Sequence, residues 1–82
     1  MTPAGRKLLE RYIAAERAGS LVRFYNARGE QYFGIALFGG SGGEKAAALK
    51  LARDGFANFK SGASNRHSCL SITDAGREAI GI

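Results

Sequence analysis

One cysteine and one histidine are too few for the metal and sulfur chemistry that small domains often rely on. Cys69 alone cannot make an intrachain disulfide, and together with His67 it cannot close a four-ligand zinc site. The chain therefore suits a reducing compartment, with Cys69 expected as a small buried hydrophobe in a strand rather than a nucleophile. No apolar run approaches the roughly 18 residues that read as a membrane span. The first residues lack the apolar core of a secretory signal, so the cytoplasm is the expected location. No block of like charge is long enough for a disordered basic tail.

Carboxylates are also scarce, 7 Asp+Glu against 12 Lys+Arg, which leaves a net charge of +5. A positive balance in so small a chain favours a polyanionic partner, nucleic acid first. At 82 residues and 45% hydrophobic content the chain can fold as one small domain and has no room for a second core. Such a domain is marginal alone, and a homodimer through an edge strand or the first helix would add buried surface.

The order of elements reads as α-β-β-α-β-β-α, a compact α+β domain. Thr2-Pro3 supplies a cap and a first helical residue, and Gly19 a stop, so a helix is expected over 3–18. Leu8, Leu9, Tyr12 and Ile13 share one of its faces; Arg6, Lys7, Glu10, Arg11 and Arg17 share the other, with Arg6 and Glu10 spaced to pair. Residues 21–38 carry aromatic and β-branched residues on both sides of Arg28-Gly29-Glu30. That pattern favours a hairpin over a short helix in the second arm.

Gly39-Gly40-Ser41-Gly42-Gly43 has the composition of a flexible connector, whether natural or engineered. An alanine-rich helix is expected over 44–54, with Ala47, Ala48, Leu51 and Ala52 inward and Glu44 complementing the helix dipole. Lys45, Lys50 and Arg53 then lie on an outward arc of about 140° that also contains Leu49. Residues 56–60 alternate as a strand, 61–68 form a polar loop, and 69–72 return as a strand. Thr73 caps a last helix that Gly76 weakens. Thr73-Asp74-Ala75-Gly76-Arg77 echoes Thr2-Pro3-Ala4-Gly5-Arg6, a shared way of starting a helix rather than a repeat.

Phosphate-cradle motifs fail on inspection. Gly43-Glu44-Lys45-Ala46 breaks the P-loop pattern, the third glycine of the dinucleotide pattern is missing, and Glu44 would repel a phosphate. His67 sits beside Arg66 with no carboxylate nearby in sequence, and no serine occupies a nucleophile elbow. No enzyme and no cofactor is expected.

The segment Leu49-Lys50-Leu51-Ala52-Arg53-Asp54-Gly55-Phe56, followed by Cys69-Leu70-Ser71-Ile72-Thr73-Asp74-Ala75-Gly76-Arg77, resembles the C-terminal half of winged-helix DNA-binding domains. The likeness is to regulators of the multiple-antibiotic-resistance repressor type and covers roughly residues 46–80. It implies that the helix enters the major groove of duplex DNA and that the loop between the last two strands acts as a wing. Under that resemblance Lys45, Lys50, Arg53 and Lys60 neutralise phosphates, and Asn65 and Arg66 reach phosphates or base edges. A hairpin over 21–38 departs from the family pattern, which has a helix there.

Two other classes remain open. Leu49 framed by cations is also a protein-binding anchor. In size and character, though in no motif, the chain resembles the small inhibitors of phages and mobile elements, such as anti-CRISPR proteins, which bind a host protein complex. Finally, Tyr25, Tyr32 and Phe33 with Arg23 and Arg28 interleave aromatic and cationic groups, a composition that can stack single-stranded bases, although core packing accounts for some of these rings.

Overall fold

The computed structural model describes residues 1–25, 28–38, 42–64 and 67–82, without the side chains of residues 38, 42, 61–64 and 67. Its elements are α1 (Pro3–Ala18), β1 (Val22–Tyr25), β2 (Gln31–Phe38), α2 (Gly42–Arg53), β3 (Ala57–Ser64), β4 (His67–Ile72) and α3 (Asp74–Ala79). This is the expected α+β order. The strands form one antiparallel sheet in the order β1-β2-β4-β3.

α1 has the expected bounds. The Thr2 hydroxyl accepts the Gly5 amide at 3.1 Å, and Gly19 ends the helix at φ 69, a left-handed conformation glycine adopts without strain. Thr73 caps α3 the same way, accepting the Gly76 amide at 3.1 Å, so the echo between the two helix starts is a shared hydrogen bond. Gly76 is nonetheless there for space: a Cβ on it would fall on the Phe56 carbonyl oxygen. Gly55, at φ 83, turns the chain out of α2 while the Phe56 amide donates back to the Leu51 carbonyl at 2.9 Å.

The core lies between the helices and the sheet. Leu8, Leu9, Tyr12 and Ile13 of α1 and Ala47, Ala48 and Leu51 of α2 pack on Ile35, Leu37, Ala57 and Leu70 from the strands. α1 and α2 run antiparallel, with Gly5 against Leu51 at one end and Arg11 paired to Glu44 at the other.

β2 serves two partners in succession. Residues 31–34 pair with β1 and residues 35–38 with β4. At the changeover a Cβ on Gly34 would lie 2.5 Å from the Leu70 carbonyl oxygen, and the Ser71 hydroxyl donates to the Phe33 carbonyl at 2.6 Å. The sheet curls enough to bring its edge strands β1 and β3 within 8 Å of each other. That curl encloses Phe24 and Cys69, both 1% exposed, and Phe24 stacks on Tyr32 at 5.9 Å between ring centroids.

Two expectations need correction. Gly42 and Gly43 belong to α2, so the helix starts before residue 44; residues 39–41 of the expected connector lie outside the described residues. Glycine disfavours a helix by about 1 kcal/mol each, and the packing of Ala47, Ala48 and Leu51 outweighs that propensity. The expected polar loop over 61–68 is mostly strand: β3 runs to Ser64 and β4 begins at His67, with a register shift between Lys60 and Ser64. Backbone pairing needs no apolar alternation, so a polar hairpin leaves no hydrophobic trace in the sequence.

Candidate nucleic-acid interface

α2 is held by its alanine face, and this decides where its charges go. Small residues at 47 and 48 seat the helix close to the sheet and α1, and the opposite side is left to solvent at Lys45, Leu49, Lys50 and Arg53. Leu49 is 43% exposed in the middle of this stripe. Glu44, the one carboxylate within the helix, is turned toward α1, where Arg11 Nη1 donates to Oε1 at 2.9 Å. Asp54, just past the helix end, is engaged by Lys50 at 3.6 Å. Lys45 and Arg53 have no ion-pair partner among the described residues. The outward face of α2 is therefore positive, with Lys50 partly neutralised.

Lys60 does not join this face. It alternates with Ala57 and Phe59, which pack toward the helices, and its Nζ lies 4.8 Å from the Tyr32 ring centroid on the other side of the sheet. Of the six sequence-derived residues the structure places four: Lys45, Lys50 and Arg53 together on α2, and Lys60 on the opposite sheet face. Asn65 and Arg66 lie outside the described residues. β4 is paired on both sides, by β2 and β3, so within the described residues the last two strands are part of the sheet body.

Cys69 is buried as expected. Burial pushes its thiol up from the ordinary range, against smaller opposing effects of the Ser71 hydrogen bond and the Lys60 charge. Burial also raises the Tyr32 phenol. Among the described residues no group of three His, Cys, Asp or Glu is placed to hold a metal ion. No described helix is long and apolar enough to cross a membrane.

The aromatic residues divide by strand parity. Phe24 and Tyr32 face inward as a stacked, register-paired couple. Tyr25 and Phe33 face the other way and are 50% and 44% exposed. The Arg23 guanidinium lies 5.6 Å from the Phe33 ring centroid, and these two residues are register partners. Gln31, the partner of Tyr25, completes this face and was not a candidate from sequence; its signal is its spacing of two from Phe33 in the same strand. The Arg11–Glu44 pair also escapes the sequence, because it joins residues 33 apart through the helix packing.

Comparison with known proteins finds no matching family model, no matching curated protein and no matching solved structure.

Proposed function

We propose that this chain is a small cytoplasmic nucleic-acid-binding protein that acts without catalysis, as a winged-helix-type regulator docking α2 on duplex DNA. The observation that carries the proposal is the disposition of charge on α2. Its carboxylate Glu44 is drawn to Arg11, while Lys45 and Arg53 stand unpaired among the described residues on the outward face. Eight residues separate them, roughly 12 Å along the helix, so both cations can meet phosphates from one docking pose. The α2-β3-β4-α3 order is compatible with the winged-helix resemblance of residues 46–80.

The test is fluorescence anisotropy of labelled random duplex DNA across a salt series. Wild-type protein is expected to bind in the micromolar range and to weaken steeply with salt. Removing one cation from a phosphate reduces the slope of log K against log salt by about 0.9, so Lys45→Ala with Arg53→Ala should reduce it by about 2. An unchanged slope and affinity in the double variant overturns the proposal.

A second function is favoured by one observation, the exposure of Leu49 between these cations. An apolar anchor ringed by positive charge suits an acidic protein surface, as an inhibitor of a host protein complex would need. Leu49→Ala separates the two: it leaves phosphate-driven DNA binding nearly intact and removes a protein anchor.

A further inference from the structure

The β1–β2 hairpin carries a second surface that the helix-based function does not use. Strand pairing sets Arg23 opposite Phe33 and Tyr25 opposite Gln31, so these four side chains tile one face of the hairpin. All four are exposed. The hairpin's own packing is supplied from its other face by Phe24, 1% exposed and stacked on Tyr32. Tyr25 and Phe33, at 50% and 44% exposure, are therefore not needed to fill the core. Two large rings side by side in water form an apolar surface open to a partner.

The chemistry of the tile indicates what that partner is. Tyr25 and Phe33 are diagonal neighbours across the strand pair, close enough to act as adjacent stacking surfaces. Arg23 lies between them, next to Tyr25 along β1 and opposite Phe33, with its guanidinium near the Phe33 ring. The tile contains no carboxylate, and Gln31 adds an amide that can both donate to and accept from a base edge. Rings that stack bases, a cation for phosphate and one adaptable amide are the components of a single-strand platform. A duplex, whose bases are already stacked on each other, offers such rings nothing.

We propose that Arg23, Tyr25, Gln31 and Phe33 form a binding surface for single-stranded nucleic acid, separate from the α2 face and independent of it. Bases stack on Tyr25 and Phe33, and Arg23 meets the intervening phosphate.

The experiment is anisotropy with labelled oligo-dT and oligo-U, at low and moderate salt, on wild type and three variants. Tyr25→Ala with Phe33→Ala should weaken binding at least about tenfold, since two stacked bases together contribute more than that. Tyr25→Phe with Phe33→Tyr keeps both rings and should keep the affinity. Lys45→Ala with Arg53→Ala should retain oligo binding even if duplex binding disappears, which separates this surface from α2. Because the two rings are exposed, circular dichroism of the alanine variant should match wild type.

Three results would overturn the proposal. The first is no binding of either oligonucleotide at low salt, and the second is equal binding by the double alanine variant. The third is concentration-dependent self-association in sedimentation that vanishes with the two rings, which would assign the tile to a second copy of the chain.

Discussion

Arg77 grips Glu16 through both terminal guanidinium nitrogens, at 2.8 and 2.6 Å, and so fastens the last helix to the end of the first. The hydrogen bond from Arg77 is the main reason the Glu16 carboxyl is held below the ordinary glutamate range. Because the folded-state value is the lower one, the pair stabilises the fold above the unfolded glutamate value of about 4.3. That contribution is lost as pH falls through the lower, folded value. Glu16→Gln should therefore lower Tm at neutral pH and show a shallower decline toward acid than wild type. Thermal melts followed by circular dichroism over a pH series check this; parallel curves would rule it out.

Not all closely packed glycines should matter equally. Alanine at Gly76 or Gly34 would meet backbone oxygens, of Phe56 and Leu70 respectively, which cannot swing aside. Overpacking of this kind costs about 1–3 kcal/mol. At Gly5 the nearest atom is the Leu51 Cδ2 at 3.1 Å, the flexible end of a side chain. There the helix preference for alanine, up to about 1 kcal/mol, offsets the squeeze. Urea unfolding of Gly5→Ala, Gly34→Ala and Gly76→Ala should show only the last two markedly destabilised.

Asp54 is a brake on the α2 surface, because its carboxylate holds Lys50 at 3.6 Å. Asp54→Asn should release Lys50 and strengthen duplex binding at low salt, steepening the salt slope by about 0.9 for one more neutralised phosphate. Stability should barely change, as exposed pairs of this spacing contribute about 0.5 kcal/mol or less. A slope identical to wild type would show that Lys50 is not in the interface.

Cys69 should be unreactive in the folded protein. At 1% exposure, and with burial pushing its thiol upward, little thiolate forms at neutral pH. A chromogenic disulfide reagent should label it at the rate of global unfolding and at once in denaturant. Rapid labelling under native conditions would contradict the enclosed sheet face.

The sequence was most legible where one residue type does a local job. Thr2, Pro3 and Gly19 bound α1 correctly, and Thr73 marked the start of α3. Arc geometry put Lys45, Lys50 and Arg53 on the outward side of α2, where the structure has them exposed. What escaped were relations set by pairing between distant segments. No local pattern announces that β4 inserts between β2 and β3, or that Lys60 of β3 lies over the Tyr32 ring of β2 across the sheet. Nor does Tyr25 differ locally from Phe24; only the strand register decides which ring is enclosed.

The division of β2 between two partners has a kinetic consequence. Each hairpin, β1 with β2 and β3 with β4, closes over a short stretch of chain and can form early. Joining them requires Ile35 to find Leu70, a contact spanning 35 residues, with the Gly34 approach to Leu70 made at the same moment. The loop-closure entropy of that encounter has to be met before its contacts repay it. Folding of this small chain is thus expected to be governed by one zippering event between two prebuilt halves. In stopped-flow chevrons, substitutions at the β2–β4 seam should slow refolding, whereas those at Tyr25 or Phe33 should leave it untouched.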